Sequence, residues 1–449
     1  MRLRLSVLFA ASLSVFSSMA FAADPALDTQ AEQQGIPVNE LRVFAEVMER
    51  IRAVYIDEVD DKTLLEAAIR GMLYELDPHS SYLTPNEFDD LQVTTSGEFG
   101  GLGIEITLEN GFIKVVSPID DTPASAAGIN AGDLILKIDS TFVKGLGLQE
   151  SVDLLRGEIG SEVELTILSA GDQKPRKVTL KRDRIQIKSV RSNMLEPGYG
   201  YLRVTQFQGQ SGTETKKALA KLLKKEPLNG LVLDLRNNPG GVLTAAVQIA
   251  DLFLDDGLIV YTQGRAEESR TNYAATKGDM LKGVPMVVLI NAGSASASEI
   301  VAGALQDQER AIIIGQRSFG KGSVQTIMPL HDERALKLTT ARYYTPNGRS
   351  IQAEGIAPDI RTEVARVELA SDDGNVREAD LRGHLENNTA KDKANPAASE
   401  VPLVSRDYAL YEALSILKGV HLASRRDTQN NKAQNEKPDV TTNNKTDAQ

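Results

Sequence analysis

The side chains best suited to chemistry lie between Val284 and Gln325. There an apolar strand, Val284–Ile290, breaks into Asn291-Ala-Gly-Ser-Ala-Ser-Ala-Ser-Glu299, and Ser318-Phe-Gly-Lys-Gly-Ser-Val-Gln325 follows. The strand hands over to a helical pattern across Ala297–Leu305. A serine therefore sits at a strand-to-helix elbow, exposed and at the positive end of a helix. A hydroxyl attacks only once a base takes its proton, and a lysine can be that base if desolvation lowers its pKa toward neutrality. Lys321 suits the role, flanked by Gly320 and Gly322 and followed by the apolar run Val324–Leu330. The pattern reads as a serine nucleophile with a lysine base. Elbow geometry does not choose among Ser294, Ser296 and Ser298.

Other chemistries fit less well. Gly315-Gln-Arg-Ser-Phe-Gly-Lys321 approaches a phosphate-binding loop, but Gly322 stands where a magnesium-binding hydroxyl is needed, and a strand pattern follows instead of a helix. A Ser/His/Asp arrangement has only His331 near the core, in the polar turn His331-Asp-Glu-Arg334 between two strands. His79 falls in a helix-ending turn and reads as a structural hydrogen-bonder. With histidines only at 79, 331, 384 and 421 and no cysteine, the sequence implies neither metal nor cofactor. A net charge of −12 argues against nucleic-acid binding, which needs basic faces.

The rest of the chain supplies the elements that must position these groups. Its length allows about three domains. Arg2 and Arg4 precede the apolar run Leu5–Phe16, and Ala20-Phe-Ala22 offers a cleavage site. Residues 1–22 therefore read as a secretory signal peptide, with the mature chain starting at Ala23 in the periplasm. Residues 23–95 form a helical N-terminal region, with apolar residues at helical spacing in Leu41, Phe44, Val47, Met48 and Ile51, then in Leu64, Ala68, Met72 and Leu76. Two helices are expected there, the second ended by Pro78. Residues 366–424 are a linker with a helical stripe in Tyr408–Leu422, and residues 425–449 are too polar to fold.

Residues 96–184 are short strands with one or two brief helices. Gly101-Leu-Gly-Ile104 resembles the carboxylate-binding loop of a PDZ domain, and Ser125-Ala-Ala-Gly-Ile-Asn-Ala-Gly-Asp133 resembles its small helix and turn. The resemblance implies that Gly101, Leu102, Gly103 and Ile104 capture a C-terminal carboxylate, the bound tail adding a strand to the sheet edge. Arg156, before Gly157, ends the second PDZ helix as a solvated cap or as a relay of tail binding to the active site. Residues 185–365 repeat strand, turn and helix, as in Leu231-Val-Leu-Asp-Leu235, Arg236–Gly241 and Val242–Leu254. This grammar implies a mixed α/β core with active groups at strand ends. The Asn237-Asn-Pro-Gly-Gly241 turn is suited to an oxyanion hole.

The full set of motifs, with Tyr343-Tyr-Thr-Pro-Asn-Gly-Arg-Ser-Ile-Gln352, closely resembles the carboxyl-terminal processing peptidases, or tail-specific proteases, across residues 38–365. The resemblance implies a multidomain α+β fold with a crotonase-like mixed α/β peptidase core. It implies Ser296 as nucleophile, Lys321 as base and Gln325 as its orienting group, with the backbone of Ala297 and of Gly240 or Gly241 as oxyanion donors. It further implies an exported serine endopeptidase acting on protein substrates with nonpolar C-termini, either with a helical-repeat lipoprotein adaptor or as a homo-oligomer. The rival reading is a non-catalytic PDZ scaffold, which would need none of Ser296, Lys321 and Gln325.

Overall fold

A computed structural model describes residues 37–363 except 110, 120, 170 and 171, then 365, 367, 378, 381–385 and 402–435, with side chains described to residue 426. The signal peptide, the linker stretch 386–401 and residues 436–449 lie outside the described residues. The chain divides into two units, at Gly71/Met72.

The first unit is helical: α1 (Val38–Val54) and most of α2 (Asp61–Tyr74). The amphipathic pattern is where the sequence placed it, but α1 buries none of its residues, and Leu41, Phe44 and Val47 stay exposed.

In the second unit the chain first forms β1 (Ser81–Leu83) and α3 (Pro85–Ser96). Neither was expected, since the region read as two helices only. α3 has a weak apolar stripe, and its signal is local. Thr84 caps it, the Thr84 N–H donates to Glu87 Oε2 at 2.8 Å, Pro85 opens the first turn, and Gly97 closes it at φ 76°.

The PDZ region follows. β2 (Glu98–Gly101) pairs with β9 (Asp183–Gln186). Between them β3 (Ile104–Glu109), β4 (Phe112–Pro118), β5 (Leu134–Ile138), β6 (Thr141–Phe142), β7 (Glu162–Leu168) and β8 (Arg176–Lys181) form one sheet. Its main path is β3-β4-β5-β7-β8, with β6 beside β5. α4 (Pro123–Ala126) and α5 (Leu148–Leu155) complete it around Ile113, Ile135, Leu165 and Ile167. β3 is an edge strand, so one row of its backbone groups is open to a partner.

The peptidase core is built on a sheet ordered β10-β11-β12-β15-β16-β19: Val190–Glu196, Tyr199–Val204, Gly230–Asp234, Met286–Ile290, Ile312–Gly315 and Ile360–Arg361. All its pairings are parallel except β10 with β11. Its two central strands, β12 and β15, are buried throughout, because helices cover both faces. One face packs on α6 (Ser211–Lys225), α7 (Leu243–Asp251) and α8 (Ala297–Asp307). The other packs Val232, Val287, Leu289 and Ile314 against Leu410, Ala413, Leu414 and Leu417 of α10 (Tyr408–Asn435), which the short α9 (Leu403–Arg406) precedes. α10 runs past the expected Leu422. A second, antiparallel sheet joins β1, β18 (Ala335–Tyr344), β13 (Leu258–Gly264) and β14 (Thr271–Ala274), with β17 (Ser323–Pro329) also on β18. Pairing of Ser81–Leu83 with Ala335–Lys337 thus gives the region read as purely helical a strand in the core.

α10 is fastened by charge as well as by burial. Asp234, fully buried, accepts from Tyr201, Arg203 and Arg236, and Arg236 also donates to both Asp407 oxygens at 2.9 and 2.7 Å. Burial pushes both carboxyls up, but the bonds and charge of Arg236 outweigh it and hold each below the ordinary value of 3.8. Carboxyls with depressed folded-state pKa values contribute stability above their unfolded value and lose it as pH falls toward the folded one. Asp407→Asn, which keeps a cap for Leu410 N–H but loses the charge, is expected to cost about 1.5–3 kcal/mol at neutral pH. It should also flatten part of the loss of stability below pH 3.8 in urea titrations across pH.

Candidate active site

The elbow expected from sequence is present and strained. β15 ends at Ile290, a turn crosses Asn291–Gly293, and Ser296 caps α8 with φ 56° and ψ −112°. A non-glycine residue held there costs about 1–3 kcal/mol. Glu299 holds it: the carboxylate, 0% exposed, accepts from Ser296 N at 2.7 Å.

The same carboxylate also accepts from Ser318 Oγ at 2.6 Å, Gly320 N at 2.7 Å and Lys321 N at 2.9 Å. The serine elbow and the lysine loop are therefore clamped by one buried side chain. Sequence reasoning quoted Glu299 without giving it a task. The signal was its place three residues after the cap, at the start of a buried helix.

The rival serines are committed elsewhere. Ser294 Oγ donates to Leu235 O at 2.8 Å, Ser298 Oγ donates to Asn238 O at 2.9 Å, and both residues are fully buried. Ser296 alone of the three lines a cavity of about 420 Å3, together with Ala297, Lys321, Gln325, Lys337, Tyr343, Gly240 and Gly241. Leu91, Thr94 and Thr95 of α3, with Leu243, Ile300, Val324 and Ile327, line the same cavity.

The glycine turn is knitted to the elbow. A Cβ on Gly240 would sit 2.8 Å from Ser296 Cβ and 2.7 Å from Ala295 O, at φ 101°, so only glycine fits. Gly240 N–H donates to Asn238 Oδ1 at 2.9 Å, while Asn238 O receives Ala295 N–H at 3.0 Å. Asn291 and Asn237 exchange bonds of 2.8 Å across the two turns.

Lys321 is half-buried, and its side-chain amine makes no hydrogen bond or ion pair to any described residue. Burial lowers its pKa, the Lys337 cation in the same cavity lowers it further, and Asp77 and Glu299 partly oppose them. The structure brings Gln325 to the same cavity but does not direct its amide at Lys321. Gln325 Nε2 donates to Ser323 Oγ at 2.9 Å and Thr339 Oγ1 at 3.2 Å, and Thr339 Oγ1 donates to Asp77 Oδ1 at 3.1 Å. A register shift between Val324 and Gln325 breaks the simple four-residue facing rule. His79 gives its backbone N–H to Asp77 at 2.8 Å, as a turn residue would.

Tyr343, 1% exposed, went unassigned in the sequence. Its hydroxyl lies close enough to Ser296 for the two to interact, but without hydrogen-bond geometry to any described residue. Burial pushes the phenol well above its ordinary value, the Glu299 charge adds to this, and Ser296 offsets a part.

In the PDZ region Gly103 (φ 75°) lies against Thr122, where a Cβ would be 2.4 Å from the side chain, and Thr122 Oγ1 donates to Ile119 O at 2.6 Å. Leu102 is buried, its carbonyl accepting from Ala124 N at 3.0 Å. Gly101 ends β2 and Ile104 opens the edge strand β3. Arg156 caps α5 and is not simply solvated: it donates to Asp90 of α3 at 2.8 Å and lies over the Phe99 ring at 5.2 Å.

Comparison with known proteins agrees with this architecture. The peptidase family S41 model matches residues 198–362, a PDZ domain model residues 100–181, and the activating protease CtpB N-terminal domain model residues 8–86. The chain is 46% identical to the carboxy-terminal-processing protease of Bartonella bacilliformis over 93% of its own length and 96% of that protein. The chain belongs to the carboxy-terminal-processing proteases of peptidase family S41. It is also 39% identical to the carboxyl-terminal-processing protease of Synechocystis, covering 68% of this chain and 72% of that one. For the carboxy-terminal processing protease CtpA of Bacillus subtilis the identity is 36%, covering 70% and 67%.

Because Glu299 serves four donors, Glu299→Ala in this protease should lower stability by about 3 kcal/mol or more in urea unfolding. Ser298→Ala, which removes one bond to a carbonyl, should cost about 1 kcal/mol.

Proposed function

We propose that this chain is a periplasmic serine endopeptidase that takes hold of the C-terminal tails of proteins with its PDZ domain and cleaves them with a Ser296/Lys321 dyad. One observation carries the reading: of the three clustered serines, the one in a strained elbow shares its cavity with a half-buried, unpaired lysine. Lys321 takes the Ser296 proton as Oγ bonds to the scissile carbonyl, then returns it to the leaving amine. Water activated by the same lysine hydrolyses the ester.

Ala297 N–H and Gly241 N–H are our assignment for the oxyanion donors, since Gly240 N–H already serves Asn238. In this reading Gln325 leaves Ser323 and Thr339 to hold Lys321 when substrate binds. The apolar cavity wall suits tails with nonpolar residues. A tail seated on Gly101–Ile104 would extend β3, and Arg156, through Asp90, would pass its arrival to α3, whose Leu91, Thr94 and Thr95 line the cavity. Export rests on Arg2, Arg4 and the Ala20-Phe-Ala22 site. The exposed apolar face of α1 is where an adaptor or a second copy would bind.

The test is cleavage of an unstructured protein with a nonpolar C-terminus, with and without periplasmic extract. Ser296→Ala and Lys321→Ala should abolish cutting and Ser298→Ala should retain it; loss in Ser298→Ala alone would move the nucleophile. A rate that needs the extract would establish an adaptor.

The pH profile gives a second check. The base must be neutral, so the rate should climb with pH through the pKa of Lys321. Lys337→Met removes a cation that lowers that pKa, so the acidic limb should move to higher pH.

A further inference from the structure

We propose that Tyr343 is a further catalytic residue, its hydroxyl donating a hydrogen bond to Ser296 Oγ whenever that oxygen carries negative charge. The proposal rests on the Ser296/Lys321 reading above. Tyr343 sits near the end of β18, and its own backbone N–H donates to Gly322 O at 2.9 Å, which ties it to the lysine loop. Its ring is among the largest fully buried side chains, yet its hydroxyl is without a hydrogen-bond partner among the described residues and shares the cavity of Ser296 and Ala297.

A buried hydroxyl left unpaired costs stability, and phenylalanine would fill the same space without that cost. The hydroxyl therefore has a use that the resting structure does not satisfy. Burial and the nearby Glu299 carboxylate disfavour the phenolate, so Tyr343 keeps its proton and acts only as a donor.

The proton balance is simple. In acylation the Ser296 proton goes to Lys321, Oγ bonds to the carbonyl carbon, the C–N bond breaks and the amine leaves with the proton from Lys321. In deacylation water adds to the ester carbon, its proton passes to Lys321, and Oγ departs and is reprotonated by Lys321. Oγ bears charge on entering and on leaving, and Tyr343 O–H is placed to meet it both times.

The experiment compares the full-length mature protein with Tyr343→Phe and Ser296→Ala. Three readouts are taken: kcat/KM on the unstructured protein substrate, the rate of covalent labelling by a fluorophosphonate read by intact mass, and the melting temperature. In labelling, Oγ bonds to phosphorus and fluoride leaves.

Tyr343→Phe is expected to melt at or above the wild-type temperature while kcat and the labelling rate each fall about 10- to 100-fold, with KM little changed. Wild-type labelling and turnover in Tyr343→Phe would overturn the proposal, as would a lowered melting temperature, which would show that the hydroxyl has a structural partner. A wild-type protein that takes label on a residue other than Ser296, or a Ser296→Ala variant that still cuts, would instead overturn the dyad on which the proposal stands.

Discussion

One buried carboxylate holds this active site together. Glu299 is fully enclosed, and its two oxygens receive the backbone of Ser296, the backbone of Lys321 and two further donors from the loop between β16 and β17. A buried charge is tolerated only when fully hydrogen-bonded, so the elbow and the lysine loop must stay where they are for the carboxylate to remain satisfied. The strain at Ser296 and the close fit of Gly240 follow from that clamp. What the clamp leaves free is equally informative, since the side chains of Lys321, Ser296 and Tyr343 all line the cavity and none of them is bound by Glu299.

Much of this was legible in the sequence, and for physical reasons. Fully buried parallel strands read as unbroken apolar runs, so Leu231–Leu235 and Val284–Ile290 stood out, as did the small residues that must follow them. The PDZ region was legible because its glycine loop has few alternatives. α3 and β1 were not: α3 is written in its cap, and a three-residue strand carries too little periodicity to be seen. The serine register was closed to geometry from sequence, because Ser294 and Ser298 have the same chemistry as Ser296 and differ only in being spent on the carbonyls of Leu235 and Asn238. Gln325 is instructive in the same way, since a bulge one residue before it alters which way its amide points.

The face of the central sheet away from the cavity shows a second kind of dependence. Arg236 leads into the turn that carries Gly240 and Gly241, and it is shared between Asp234 inside the sheet and Asp407 before α10. Burial of Leu410, Leu414 and Leu417, each contributing roughly 1.5–3 kcal/mol, is thereby coupled through one guanidinium to the loop beside Ser296.

The cavity itself has a temporal consequence. Its walls come from residues 91–95, 206, 239–243, 296–300, 321–327 and 337–343, so no contiguous stretch of chain can form it alone. Contacts so far apart in sequence must wait for slow, long-range pairing, such as that of β1 on β18 across some two hundred and fifty residues. Partly folded chains thus have no assembled site with which to cut their neighbours or themselves, and proteolysis is confined to molecules that have finished folding.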